Sequence, residues 1–484
     1  MRRSILSLAT LGTLLAGSVP AAPVTAQGGA NAISPADRQE GAKAHPQLVQ
    51  EFGGAVTGPQ AGYVEQVGKT IAVQSGLSNA RGDFTVTLLN SPVNNAFAIP
   101  GGYVYVTRNL VGLMNNEAEL AGVLGHEVGH VAARHAAKRE SAATRNAIIG
   151  ILGSVLSGAI FGNTALGQAG SQLFSTGSQL LTLRYSRAQE TEADNLGVRY
   201  LQRAGYDPHA MASVLRSLAA QTALDSQISG SADGERMPEW ASTHPEPAAR
   251  VAAADAQAGS ARGLTNRDVF LARIDGLTYD DDPRQGVVEG RTFVHPGYRM
   301  AFSAPPGFYL ANGTRSVRIS GQSGKGELAG GSFDGNLDAY VRAAFAKLAQ
   351  GAQPSAVSRT TINGIPAAIA TRRMTSGGSA VDVTVVGYAW GPQQAFHFAT
   401  IARAGESGVF DSMFRSIRRI DAAEAGMVRP RRIAVRTVSS GDTVASLSSL
   451  MAYRDRKLER FLVLNALNAD ARLQPGQKVK LITY

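Results

Sequence analysis

The sequence predicts an α+β multidomain protein. It divides into a mainly helical domain over residues 45–260, an α+β middle module over 290–421 and a small C-terminal domain over 433–484. Three observations carry that reading. Asn116–Lys138 repeats apolar residues at helical spacing behind a capping signal, and Ser186–Gly205 is bounded by a capping-box pattern and a glycine stop. Beyond residue 290 the pattern changes to short alternating runs separated by Gly, Pro and Asn, which read as strands. With 484 residues, 44% hydrophobic and 17% charged, the chain has ordinary globular composition and the length of several domains.

The chain opens with Arg2 and Arg3, an apolar run from Ile5 to Leu15 and small residues at Val24, Thr25 and Ala26, the pattern of a secretory signal over residues 1–26. The run is too short for a transmembrane span. With no cysteine in the chain, a lipoprotein anchor and disulfides are both excluded. Export and a soluble mature chain are therefore expected. Residues 27–44, polar and small, read as a flexible lead-in, and His45–Gln74 has helical spacing with a break at Gly53 and Gly54. Phe84, Val86 and Leu88 then alternate with polar residues. The turn Pro100-Gly101-Gly102 joins Asn94–Ile99 to Tyr103–Thr107 as a β-hairpin. Its edge strand either pairs with an extended polypeptide or is purely structural.

Asn116–Lys138 reads as one helix. Asn116 can cap its start while Glu119 reaches back, and Leu120, Val123, Leu124, Val128 and Val131 recur at helical spacing. Glu117 and Glu119 also suit the positive end of the helix dipole. His126 and His130 are one turn apart and leave the same face, so both imidazoles can hold one ion with Glu127 beside them, in the pattern His-Glu-x-x-His. Zinc held by neutral imidazoles makes water acidic enough to attack near neutral pH. Glu127 can take that proton and pass it to a leaving amine, which is peptide hydrolysis. The same spacing occurs in helices that hold no metal, so a third ligand is the discriminating feature.

Residues 147–161 are strongly apolar but fall short of a membrane span, and read as a buried or lid-forming helix. Downstream, Ser186 and Gln189 form a capping-box pattern, Gly205 fits a helix stop, and Asp207 with Pro208 starts another helix. Glu190 and Asp194 share a face, whereas Glu192 is turned toward the other side. Glu190 is therefore the third zinc ligand. Asp194 is placed to accept a hydrogen bond from the free nitrogen of a ligating histidine.

With these residues in view, the chain resembles the zinc metallopeptidases of the CAAX-prenyl-protease and HtpX type, in their exported BepA-like branch, over residues 45–260. The motifs are Asn95-Ala96-Phe97 with Pro100-Gly101-Gly102, His126 to His130, Glu190 with Asp194, and Ser242-Thr243-His244-Pro245 followed by Arg250. The resemblance implies a gluzincin-type zincin fold, one zinc per chain, a periplasmic location and endopeptidase cleavage of misfolded or unassembled envelope proteins. His244 reads either as a loop histidine packed on the domain or, as the resemblance implies, as a residue near the zinc. There it would fill the fourth position in a latent state or donate to the oxyanion. Arg250 is a candidate to hold Asp194 or to polarise the oxyanion. His135 reads as lying off the ligand face, and His45, His209, His295 and His397 as surface or core residues.

Residues 261–289 form a connector whose Asp280, Asp281 and Asp282 read as a solvated turn, since no loop of alternating oxygen ligands follows. The module over 290–421 carries no catalytic constellation, and binding or scaffolding is its expected role. The formal charge of +10 is dispersed, with Arg429, Arg431, Arg432 and Arg436 the one tight group, read as part of a solvated linker around 422–432. Export and the lack of an aromatic-basic motif exclude nucleic acid as a partner. Residues 433–484 resemble a LysM-type domain through Gly441-Asp442-Thr443, Leu467-Asn468 and Pro475-Gly476-Gln477. That resemblance implies a βααβ fold that binds N-acetylglucosamine-containing glycans such as peptidoglycan, with a purely structural use as the alternative. Two other functions stay open, a peptidoglycan peptidase and a non-catalytic chaperone or scaffold for outer-membrane protein assembly.

Overall fold

The computed structural model describes residues 32–77, 80–136, 185–229, 244, 247–349, 351–376 and 379–484. The signal segment 1–26, the apolar stretch 147–161, and Ser242, Thr243, Pro245 and Glu246 lie outside the described residues. No helix among those described is long and apolar enough to cross a membrane.

Helix α1 (Pro35–Glu51) begins inside the stretch expected to be a flexible lead-in. Ser34 Oγ accepts from Asp37 N at 3.0 Å, and Pro35 sits in the first turn, where an N–H has no partner to lose. Ala44 and Leu48, with Phe52 just beyond the helix, bury against Phe97, Ile99 and Tyr105. That sparse apolar stripe orders a segment whose composition is otherwise polar. The chain breaks at Gly53 and Gly54 (φ 85° and 92°) and resumes as α2 (Pro59–Ala72).

The expected hairpin forms from β2 (Ala96–Ile99) and β3 (Tyr103–Thr107), with Ala96 opposite Val106 and Ile99 opposite Tyr103. Strand β1 (Thr85–Leu89) joins β3 in parallel, so the order is β1-β3-β2 and β2 is an edge. Helix α1 covers one face of this sheet. The other face packs on α2 and on α4 (Glu117–Ala132), which follows the short α3 (Arg108–Leu113).

Helix α4 starts as expected: Asn116 Oδ1 accepts from Glu119 N at 2.9 Å, and Glu119 Oε2 accepts from Asn115 N at 2.8 Å. It ends at Ala132, before the expected Lys138. Arg134 takes φ 54°, Arg134 N donates to Val131 O and His135 N donates to His130 O, at 3.0 Å each. This is a Schellman stop with arginine at the left-handed position usually held by glycine, which is why no stop signal is visible in the sequence.

Helix α5 (Arg187–Arg203) has the complete capping box between Ser186 and Gln189, and Gly205 ends it at φ 80°. A Cβ on Gly197 would lie 3.2 Å from His126 N, and one on Gly129 3.2 Å from Ala193 O. Glycines thus let α5 lie close against α4. Helices α6 (Ala210–Ser229), α7 (Pro247–Ala258) and α8 (Arg267–Ile274) complete the helical region.

The middle module is α+β, as expected. Its seven-stranded antiparallel sheet runs β11 (Ser358–Ile362), β12 (Ile365–Ser376), β13 (Ser379–Gly391), β14 (Gln394–Arg403), β10 (Gly324–Ser332), β9 (Ser316–Gly321), β8 (Tyr309–Asn312), with α9 (Leu337–Leu348) packed on one face through Val341 and Phe345. A four-stranded sheet that includes β6 (Thr292–His295) and β7 (Met300–Ser303) lies against the other face.

The last segment has the order β16 (Arg431–Thr437), α10 (Val444–Ser449), α11 (Lys457–Leu464), β17 (Lys478–Thr483), a βααβ arrangement. It is no tethered bead. Strand β4 (Thr278–Tyr279) pairs with β16, and Ile433, Phe461, Val479 and Ile482 share one apolar core with Leu120, Leu124 and Val214. Lys480 is 0% exposed, and its Nζ donates to Gly112 O, Leu113 O and Met114 O at 2.8, 3.0 and 2.6 Å. These carbonyls end α3, where helix geometry leaves acceptors unpaired. Arg431, expected in a solvated linker, is 8% exposed; it pairs with Glu289 and stacks on Tyr453 at 4.8 Å. Packing of this segment against the rest of the chain is what buries it.

Candidate metal centre

The one-turn spacing on α4 delivers His126 and His130 side by side, with Nε2 atoms 3.0 Å apart. Helix α5 brings the Glu190 carboxylate to 3.5 Å from each of these nitrogens. His244 enters just before α7, its Nδ1 3.2 Å from His126 Nε2 and 3.1 Å from Glu190 Oε1. All four residues are buried, and their ligand atoms lie within 4.8 Å of one another.

A tetrahedral zinc with ligands at 2.0–2.1 Å needs ligand-to-ligand edges of roughly 3.3–3.4 Å. Five of the six edges here run from 3.0 to 3.5 Å, and all lie within 4.8 Å. Two neutral imidazoles, a carboxylate and a third imidazole are also a donor set of the hardness zinc prefers, so the group can hold one zinc ion.

The nitrogens facing away from the cluster are also held. His126 Nδ1 lies 2.9 Å from Asp194 Oδ1, which keeps the proton on Nδ1 and the Nε2 lone pair on the cluster. Arg250 grips Asp194 with Nε and Nη2, each at 2.6 Å, and its Nη1 lies 2.7 Å from Glu190 Oε2. Burial opposes ionising Asp194, but the Arg250 fork outweighs it and holds the carboxyl below its usual range. Burial likewise opposes protonating His126, yet Asp194 and Glu190 raise it to about 9. That surplus of negative charge suits a dication. Replacing Asp194 with alanine is expected to weaken zinc binding about 10–100-fold, read by competition with a chromogenic chelator.

His130 is supported by a residue that sequence reasoning set aside. The Schellman stop turns His135 back beneath the helix, putting its Nδ1 2.8 Å from His130 Nδ1 and its Nε2 3.1 Å from Glu192 Oε2. The consistent proton order is His130 Nδ1–H to His135 Nδ1, then His135 Nε2–H to Glu192. Glu192, on the side of α5 away from Asp194, is thereby the end of a second support. Tyr185 stacks on the His130 ring at 3.7 Å and 16°. The motif extends five residues past His130, but only the reversal at Arg134 makes that offset meaningful. His135→Phe is expected to lower zinc affinity about tenfold in the same competition assay, since it removes an outer hydrogen-bond partner.

Glu127 is fully buried, and both its carboxylate oxygens lack a hydrogen-bond partner among the described residues. His244 Nε2 lies 3.5 Å from Glu127 Oε1. Burial raises the Glu127 carboxyl above its ordinary value. An unpaired buried carboxylate is costly in a purely structural role, and this one stands beside the donor cluster. A cleft next to the cluster is lined by Ala98, Ile99, His130 and Tyr185, so the β2 edge borders it.

Residues 59–258 match the profile of Peptidase family M48. A beta-barrel assembly-enhancing protease of Yersinia pestis is 33% identical over 218 residues, 44% of this chain and 42% of that protein. The protein of the same name from Escherichia coli K12 is 31% identical over 217 residues, covering 44% and 42%. The mitochondrial metalloendopeptidase OMA1 of Arabidopsis thaliana is 35% identical over 161 residues, covering 33% and 28%. The chain thus spans less than half the length of these relatives, and the similarity concerns the helical region that carries the donor cluster.

Proposed function

We propose that the chain is a periplasmic zinc endopeptidase that hydrolyses peptide bonds of misfolded or unassembled envelope proteins. The observation that carries the reading is the buried Glu127, without a hydrogen-bond partner among the described residues, beside a cluster of four zinc donors. The names of the relatives, assembly-enhancing protease and metalloendopeptidase, support the reaction class and the envelope substrates. When bound, zinc supplies a Lewis acid that acidifies water and polarises the scissile carbonyl. Glu127, its carboxyl raised by burial, takes the proton from the attacking water and returns it to the leaving amine. Asp194 with Arg250, and His135 with Glu192, hold the two imidazoles in the tautomers that present Nε2. An extended substrate adds to the free edge of β2, which lays its backbone along the cleft beside His130.

His244 occupies the corner of the tetrahedron that a catalytic site keeps open, which describes a latent state. Substrate must displace it, and the freed imidazole is then within reach of the developing oxyanion. His244→Ala is expected to change cleavage of unfolded substrates, upward where latency limits the rate and downward where oxyanion donation does. Equal rates across several substrates would count against both roles.

Casein cleavage that depends on Glu127 tests the main reading. Release of muropeptides in its place would indicate a peptidoglycan peptidase, and holdase activity without any cleavage a chaperone. The LysM-like reading of 433–484, with anchoring to peptidoglycan, is tested by retention of the full chain on purified sacculi, because this segment shares its core with the helical region.

A further inference from the structure

A second site lies in the middle module, away from the zinc donors. A cavity of about 780 Å³ opens between β6–β7 and the far end of the large sheet, lined by Phe293, Tyr298 and Phe396 among others. Tyr298 is 43% exposed and meets Phe396 at 5.0 Å and His295 at 4.2 Å between ring centroids. Concave, of this size and floored by aromatic rings with polar groups at its rim, it has the dimensions of a ligand site.

The backbone beside it says what kind of ligand. Strand β10 (Gly324–Ser332) pairs with β14 (Gln394–Arg403) along its whole length, to Ser332 opposite Gln394. On its other side, pairing with β9 (Ser316–Gly321) stops at Ala329 opposite Ser316. Residues 330–332 are exposed and form an open sheet edge at the cavity wall. Phe333 N donates to Gln393 O at 3.1 Å, and backbone groups alternate sides along a strand. The groups of Gly331 therefore face β14, while those of Gly330 and Ser332 face outward, where they meet no hydrogen-bond partner among the described residues. Gly330 has no side chain to stand between this edge and the aromatic floor; a Cβ there would come within 2.8 Å of the Phe396 ring.

We propose that this edge and cavity bind an extended polypeptide segment. Its backbone adds a short strand to Gly330–Ser332, and one apolar side chain enters among Phe293, Tyr298 and Phe396. An open N–H and C=O edge calls for a complementary backbone, and a polypeptide alone supplies that at strand spacing together with an apolar side chain. The inference rests on the proteolytic reading only in making the bound segment part of a substrate; the binding itself uses none of the zinc site.

The test uses the full chain carrying Glu127→Gln, so that no probe is cleaved, and fluorescence anisotropy of a fluorescein-labelled peptide, Gly-Ser-Thr-Phe-Thr-Val-Ser-Gly. Saturable binding is expected, weakened at least tenfold by Ser332→Pro, which removes an outward N–H without touching the β14 ladder. Tyr298→Ala is expected to weaken it similarly. Its half-exposed ring leaves the fold intact, so it decides the matter if Ser332→Pro lowers the melting temperature. No binding, or binding that Tyr298→Ala leaves unchanged, would overturn the proposal. Casein cleavage by the wild-type chain reports on the zinc site separately, so either reading can fail while the other stands.

Discussion

Replacing Glu127 with glutamine is expected to lower cleavage of an unfolded β-rich membrane protein by about 10²–10⁴-fold, the usual contribution of a general acid–base group. One zinc per chain should remain. Glutamine has the same shape, and because neither Glu127 oxygen has a hydrogen-bond partner among the described residues, the exchange breaks no hydrogen bond seen among them. It removes the basic oxygen and leaves His126, His130, Glu190 and His244 untouched. Elemental analysis paired with proteolysis, for both proteins, separates the outcomes. Zinc in both with cleavage in wild type alone supports the assigned chemistry. Zinc without cleavage in either directs attention to His244 as a ligand that is not displaced. Absence of zinc from both would overturn the donor assignment.

Deleting residues 433–484 is expected to unfold the helical region rather than release a working peptidase. The deletion would expose the side of the core that Ile433, Phe461, Val479 and Ile482 cover, and remove the backbone hydrogen bonds that Ile433 makes with Gly276 and Leu277. A single substitution tests the same coupling. Lys480→Met keeps much of the apolar volume but leaves the carbonyls of Gly112, Leu113 and Met114 without their donor, and the buried Glu119 with Arg267 as its remaining nearby cation. Removing one member of such a buried set costs about 3–5 kcal/mol, which should appear as a lowered urea midpoint for the whole chain. An unchanged midpoint, with a deletion product that still binds zinc, would mean the segment is an independent appendage.

What was legible in the sequence was what contiguous residues encode. The capping residues Asn116 and Ser186, the one-turn spacing of His126 and His130, and the shared face of Glu190 and Asp194 follow from helix geometry alone, so each predicted element places its side chains as the structure has them. The hairpin before α4 was visible for the same reason, through alternation and the Pro100-Gly101-Gly102 turn. Local chemistry also ranked Glu127 as the base, without revealing that its oxygens have no hydrogen-bond partner among the described residues.

The rest depended on contacts between distant segments. His135 sits on His130 because an arginine adopts a backbone conformation that sequence patterns assign to glycine. Helix α1 is ordered by a stripe of three residues that means little until Phe97, Ile99 and Tyr105 stand opposite it. Arg431, read as part of a solvated linker, and Lys480 are buried because Glu289, Tyr453 and the end of α3 meet them with charge, a ring and free carbonyls. The open edge at Gly330–Ser332 exists only because β9 turns away before β10 ends. Caps, periodicities and turn-to-turn spacings are short-range energies written in neighbouring residues. Which cation is desolvated, and which strand is left unpaired, is settled by how whole elements pack, where the gain from burying apolar surface exceeds the local preference of any one residue.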